Sequence, residues 1–301
     1  MKASAMPARA RRCLVVAMLA PGAWFGTAAH AADPIEAGPD IDVVAAPTVV
    51  RPLWELGVGV AGLRLPDYRG SDQSRAYLLP LPYIVYRGTL FRADRDGARA
   101  VLFESQRVNV DVSVAASTPT RSRDNLARTG MPNLPGTAEI GPNLNVTLAA
   151  SQRDRWRLDL RLPLRAAFSV QRSPRFVGTT FSPHLNLDLG GVAGGWNVGL
   201  QTGPLFADRQ YHEHYYGVDA AYATAERPAY RGRAGYAGWQ ALAGTSRRVG
   251  NVWVGAFVRY DSLHGATFVD SPLVRRASAL TFGLGASWIL ATSSELVTST
   301  D

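Results

Sequence analysis

Two imidazoles flank a carboxylate in Tyr211-His212-Glu213-His214-Tyr215-Tyr216. In an extended segment alternate side chains share a face, so His212 and His214 would stand together as nitrogen donors for a metal ion. A zinc site takes three or four ligands, and no spacing brings His184, His264 or a carboxylate to this pair. The segment reads instead as a polar, aromatic strand end at a membrane rim, and no metal or other cofactor is assigned. Asp261, Ser262 and His264 are the residue types of a hydrolytic triad. Neighbours at i, i+1 and i+3 do not converge on one centre, and no nucleophile elbow is present. No catalytic residue is assigned, and the chain is expected not to be an enzyme. Asp94-Arg95-Asp96-Gly97 opens like a calcium loop but lacks the later glutamate, so it reads as a turn. Gly57-x-Gly59-x-x-Gly62 has the letters of a dinucleotide fingerprint without the strand-to-helix context that motif needs.

A more informative set of charged groups is Arg155, Arg157, Asp159, Arg161 and Arg165, which alternate with Trp156, Leu158, Leu160, Leu162, Leu164, Ala166 and Phe168. Successive strand residues point to opposite faces, giving one wholly apolar face and one rich in guanidinium groups. Lipid on one side and a hydrated lumen on the other demand such a split. These five charged residues are therefore expected to line a lumen. They would favour anions there, or else close it with mutual salt bridges.

The same period recurs. Apolar faces are expected at Trp54, Leu56, Val58 and Val60; at Tyr77, Leu79, Leu81, Tyr83 and Val85; at Val108, Val110, Val112 and Val114; and at Ile140, Leu144, Val146 and Leu148. Further along they fall at Phe181, Leu185, Leu187 and Leu189; at Trp196, Val198 and Leu200; at Val252, Val254, Val258 and Tyr260; and at Leu280, Phe282, Leu284, Trp288 and Leu290. A strand around 236–245 is blurred by Gly and Ala, and a short pair is expected near 89–94 and 99–103. The fold class is an all-β, antiparallel up-and-down transmembrane barrel of about 12 strands, or 10 if the short pair lies outside the wall. Connections alternate short and long, as periplasmic turns and external loops do. Trp54, Tyr83, Trp156, Trp196, Tyr260 and Trp288 suit interfacial girdles.

The chain has 301 residues and a formal charge of +8. Lys2, Arg9, Arg11 and Arg12, an apolar run from Cys13 and the small residues Ala29 and Ala31 predict a cleaved signal over 1–31. Four basic and no acidic residues leave with it, so the mature charge is 8 − 4 = +4. Cys13, the only cysteine, leaves too, which excludes disulfides and thiol chemistry in the mature chain. A proline- and glycine-rich periplasmic leader is expected over 32–53, the barrel over 54–290 and a tail over 291–301. The basic residues are dispersed, without a nucleic-acid motif, so nucleic acid is not expected as a partner. Outer-membrane lipid and lipopolysaccharide suit the charge better.

Several strings resemble those of the MipA/OmpV family of outer-membrane proteins. They contain Pro66, Asp67, Tyr68, Gly70 and Ser71; Pro80, Pro82 and Tyr83; Gly141 and Pro142; Pro163 and Arg165; Gly203 and Pro204; His212 and Tyr216; Arg259, Tyr260 and Asp261; and Ser271 with Pro272. The resemblance runs in order through the expected barrel. It implies a barrel in the Gram-negative outer membrane, without catalytic residues. It also implies a scaffold joining a lytic transglycosylase to a penicillin-binding protein in murein turnover. The alternative is a porin-like channel for small polar or anionic solutes.

Overall fold

The computed structural model describes residues 49–88, 91–94, 97–105 and 107–299. The expected signal and nearly all of the expected leader lie outside these residues, as do Thr89, Arg95 and Asp96. Among the described residues no helix is long and apolar enough to cross a membrane.

The wall runs β1 (Trp54–Pro66), β2 (Ser74–Arg87), β3 (Phe91–Asp94), β4 (Gly97–Glu104), β5 (Val108–Ala116), β6 (Thr137–Ser151) and β7 (Trp156–Ser169). It continues with β8, in two pieces (Phe176–Phe181 and His184–Gly191), then β9 (Trp196–Ala207), β10 (Gly235–Val249), β11 (Val252–Ser262) and β12 (Ser278–Thr292). The sheet holds 13 segments, but both pieces of β8 pair with β7 and β9, so the wall has 12 strand positions. Every neighbouring pair is antiparallel, and β12 pairs with β1 to close the ring. Closure matters in lipid, where an unpaired backbone group has no water to bond.

Directly paired residues share a face, so register fixes which side chains point outward. Val58 and Val60 pair with Pro82 and Pro80, and Leu284 pairs with Gly62. Leu160 pairs with Val146 and Leu185. These form a continuous apolar exterior. Leu160→Arg is expected to destabilise the barrel by about 2–4 kcal/mol. Urea unfolding in lipid vesicles checks this, and an unmoved midpoint would place that face in water.

One strand is inverted relative to the expectation. In β2, Tyr77, Leu79, Leu81, Tyr83 and Val85 pair with Leu63, Ala61, Gly59, Gly57 and Glu55, on the inner face. Leu78, Pro80, Pro82, Ile84 and Tyr86 face outward. Both parities of this strand are apolar, so alternation alone chooses no side; the ladder with β1 does. Tyr83 consequently packs against inward-facing Trp253 (ring centroids 6.3 Å apart) instead of joining an interfacial girdle. The large inner side chains lie flat over small residues. A Cβ on Gly283 would come within 2.6 Å of Phe257, and one on Gly285 within 3.2 Å of Leu81. At Gly59 a Cβ would strike the Ala286 carbonyl, which accounts for the strand glycines that mimic a dinucleotide motif.

Two ends differ. Short turns join the strands at 152–155, 192–195 and 250–251, and a ribbon of Val49–Pro52 paired with Leu296–Ser299 extends from this end. The ribbon gives strand structure to the last residues of the expected leader and to part of the expected tail. Long connections at 67–73, 117–136, 170–175, 208–234 and 263–277 occupy the other end. In barrels of this class the short-turn end faces the periplasm.

The wall is also uneven in height. β3 has four residues against fourteen in β2, and only Tyr86 and Arg87 of β2 pair with it. β4 meets β5 only at Val101, Phe103 and Glu104. Above this low hairpin, among the described residues, Ser74–Ile84 of β2 and Val112–Ala116 of β5 have no strand between them.

Candidate functional site

Four long connections pack together at the external end around α1 (Arg209–Tyr216). Its start follows from Asp208, an N-cap residue whose carboxylate accepts from the Tyr211 N–H at 2.8 Å and the Thr179 N–H at 2.7 Å. His212, Tyr215 and Tyr216 are buried on one side of this helix. The Phe268 ring lies flat on Tyr216 (centroids 3.7 Å, planes 9° apart) and meets the edge of His212 at 4.7 Å. Leu134, Leu263, Leu273, Tyr68 and Val218 complete a buried apolar core.

Polar contacts tie this core to the wall. Tyr216 Oη donates to the Arg69 carbonyl at 3.0 Å, Tyr68 Oη to the Leu273 carbonyl at 2.9 Å, and Ser271 Oγ to the Tyr216 carbonyl at 2.8 Å. Tyr211 Oη donates to Glu139 at 3.0 Å, while Tyr215 Oη lies 3.0 Å from both Ser117 and Thr137. Asp67 accepts from Arg75 at 2.7 Å and Asn125 at 2.8 Å. Asp261 accepts from Arg69 (3.1 Å), Arg259 (2.9 Å) and Gln240 (3.0 Å). Glu139 belongs to β6 and Phe268 to the β11–β12 connection, about half the ring apart. α1 touches both, so the packed connections lie together across the external end of the barrel.

Burial sets the protonation of this cap. It pushes the Tyr68 hydroxyl up to about 12, and it pulls His212 and His214 below the usual imidazole value of 6.5. Nearby Arg69 and Arg128 lower the two imidazoles further, against hydrogen bonds to the Arg233 and Pro135 carbonyls. Unfolded histidines would take protons below about pH 6.5 that the folded cap refuses. The cap's stability is thus full above that pH and is lost as pH falls toward the depressed folded values. Protection factors of the α1 amides in hydrogen exchange should drop between about pH 7.5 and pH 5; equal protection at both would contradict neutral, buried imidazoles.

The expectation for Tyr211–Tyr216 is corrected here, because the segment is helical. On a helix, residues two apart diverge, so His212 enters the core while His214 packs against Tyr215 at 4.9 Å. Asp261 faces inward, whereas Ser262 pairs with Ser278 and Trp239 on the outward face. The three triad-like residues therefore do not meet. His264 is exposed in the loop beyond.

Many of the family-like positions meet in the cap. Pro66, Asp67, Tyr68, Gly70 and Ser71 form its first connection; His212 and Tyr216 its helix; Ser271 and Pro272 its last. Gly70 takes a positive φ of 95° beside Leu263 and Val274, a position where a side chain would be strained. Others build the wall. A Cβ on Gly141 would strike the Leu164 carbonyl, and one on Gly203 the Pro183 carbonyl. Pro142, Pro163 and Pro204 stand beside these close approaches, where the ladders skip pairs or shift register. Tyr260 faces outward from β11.

Below the cap, Arg157, Asp159, Arg161 and Arg165 project from the inner face of β7. Arg157 pairs with Asp159 at 2.9 Å, and Arg161 lies 3.8 Å from both Asp159 and Asp188. Arg165 donates to Ser113 at 2.8 Å and Ser182 at 3.3 Å. Asn143 and Asn145 donate to Asp111 at 3.0 and 2.9 Å. Arg155 departs from the expectation. It sits in the 152–155 turn with φ 54°, and its carbonyl accepts the Gly190 N–H at 2.7 Å. The turn needs that residue, so the inner row starts at Arg157.

The inner wall is thus divided. β5–β8 carry arginines, carboxylates and amides, while β1, β2 and β11 carry Leu63, Tyr77, Leu79, Leu81, Tyr83, Trp253 and Phe257. At the short-turn end, fully buried Glu55 accepts from Arg87 at 2.9 Å and pairs with Arg248. No reading of the sequence singles out this cluster. The only signal is a lone acid in an otherwise small and apolar inner row, and its partners lie 32 and 193 residues away.

Comparison with known proteins gives one family. The family model for MltA-interacting protein MipA matches residues 58–290. No curated protein sequence matches. Among solved structures, outer membrane phospholipase A from Escherichia coli aligns at 9% identity and a TM-score of 0.31, over 79% of this chain and 93% of that one. The likeness is too remote to carry an activity across.

Proposed function

The chain belongs to the MltA-interacting protein MipA family of outer-membrane barrels, and from this premise we propose that it is a non-enzymatic scaffold in murein turnover. It would stand in the outer membrane of a Gram-negative cell. Its short-turn end would hold a lytic transglycosylase close to a penicillin-binding protein, so that cutting and synthesis of murein stay together. The observation that carries this reading is the family match along nearly the whole wall, in a barrel whose external connections pack into one cap. A molecule closed outside and presenting turns, the Val49–Pro52 ribbon strand and arginines inside suits a partner in the periplasm. Carboxylates on such a partner would be held by charge-assisted hydrogen bonds. Affinity capture from detergent-solubilised envelopes should recover a lytic transglycosylase together with a murein synthase. Capture that repeatedly recovers neither would overturn the proposal.

A second reading, a channel for small polar or anionic solutes, draws on the inward Arg157, Arg161 and Arg165. Asp159 and Asp188 already neutralise much of that charge. If the channel reading held, Arg161→Glu would shift ion selectivity toward cations in planar bilayers; unchanged selectivity removes it.

A further inference from the structure

From β9 to β12 the outward face carries a single charged side chain, Arg247. Its neighbour Arg248 pairs with Trp253 on the inner face, so Arg247 points toward lipid. Among the described residues no carboxylate pairs with it, and its guanidinium lies over the Trp196 ring, 6.0 Å from the centroid. Both residues stand beside the short turns at 192–195 and 250–251. At that depth tryptophan and arginine side chains reach the headgroups of the periplasmic leaflet.

A groove leads away from this pair. The register aligns Thr245, Ala256, Leu284, Gly62 and Leu78 in one outward row, and Arg247, Val254, Ala286 and Val60 in the next. Where Ala256, Ala286 and Gly62 fall between larger neighbours, the exterior is hollowed by about 460 Å³. The Thr245 hydroxyl already donates to the Asn197 carbonyl at 3.0 Å, so the hollow offers an apolar surface. Six strands spaced about 4.8 Å apart give the groove a length of about 24 Å from Trp196 to Leu78. It climbs as it runs, because Arg247 is beside the 250–251 turn and Leu78 is near Ser74, the external start of β2. Strands inclined about 35–45° set this crossing path about 45–55° from the membrane normal. It therefore rises about 15 Å, half the thickness of a hydrocarbon core of about 30 Å.

We propose that Arg247, Trp196 and this groove bind one anionic glycerophospholipid of the periplasmic leaflet, with its phosphate on the guanidinium and an acyl chain along the groove. A phosphodiester supplies the paired oxygens that suit a guanidinium fork. A zwitterionic headgroup would bring its own cation beside Arg247, and no carboxylate on this face is there to receive it. Lipopolysaccharide belongs to the opposite leaflet, at the end of the long connections, so the ligand that fits is a phospholipid. The acyl chain fills the hollow by dispersion contacts. The proposal does not depend on the scaffold reading.

Native mass spectrometry of the folded, detergent-solubilised protein tests it with dioleoyl phosphatidylglycerol and dioleoyl phosphatidylcholine, which share their chains. One phosphatidylglycerol should be retained about fivefold more than phosphatidylcholine, the preference one arginine gives at an anionic surface. Arg247→Gln should bring the two lipids to parity. Ala256→Phe keeps the arginine but fills the groove, and it should lower retention of phosphatidylglycerol by a similar factor. Heat-modifiable migration on gels confirms that both variants are folded. Equal retention of the two lipids by the parent, or a preference that survives Arg247→Gln, overturns the site. So does unchanged retention in Ala256→Phe, which would leave only a bulk lipid annulus. Parent dimers that Ala256→Phe abolishes would give the groove to a second copy and overturn it equally.

Discussion

Phe268→Ala is expected to destabilise the external cap by about 3–5 kcal/mol, the range for removing a large aromatic side chain from a core. Phe268 is fully buried, stacks on Tyr216 and meets His212, so the cavity would open between α1 and the β11–β12 connection. The wall makes its own ladders and should survive the change. Hydrogen exchange should therefore accelerate in α1 and in 263–277 while the amides of β6 and β7 stay protected. External protease should also cleave within 208–234 where the parent chain resists. Uniform loss of protection through the wall would mean that cap and barrel form one cooperative unit, contrary to the separation inferred here.

The second large effect is at the opposite end. Glu55→Ala would leave Arg87 and Arg248 facing one another without the carboxylate they share. Arg87 keeps its bond to the Pro52 carbonyl and Arg248 is 39% exposed, so losing the shared, fully buried carboxylate is expected to cost about 1–3 kcal/mol. Glu55 stands on β1, which closes the ring against β12, and Arg248 reaches it from β10. The urea midpoint of the folded barrel in vesicles should fall accordingly. Glu55→Gln should recover part of the loss, since its amide oxygen still accepts from Arg87. Indifference of the midpoint to Glu55→Ala would show that water reaches the cluster and screens it.

The wall was legible in the residues wherever one parity is apolar and the other is not. β5, with four valines against Asn109, Asp111 and Ser113, and β7, with its leucines against arginines, admit one orientation only. β2 was not legible, because Leu-Pro-Leu-Pro-Tyr-Ile-Val-Tyr is apolar on both parities, and a one-residue choice inverts every side chain. The inner ladder with Glu55 and the glycines of β1 decides it, and that is a long-range fact. The cap was hidden for a different reason. Its helix has two turns and no apolar period, since its buried side is made of His212, Tyr215 and Tyr216, which read equally well as a polar strand end. What holds it together is stacking and hydrogen bonding among four separate connections, each weak alone. The family-like strings were visible individually, but their convergence on one closure depends on strand order.

Closure of the external mouth is what separates a molecule working from its periplasmic end from a conduit, and single-channel recording in planar bilayers measures it most directly. The parent barrel should stay electrically silent, and Phe268→Ala should open it to steady ion current. A parent chain that conducts continuously, with a current unchanged by Phe268→Ala, would contradict the capped barrel described above.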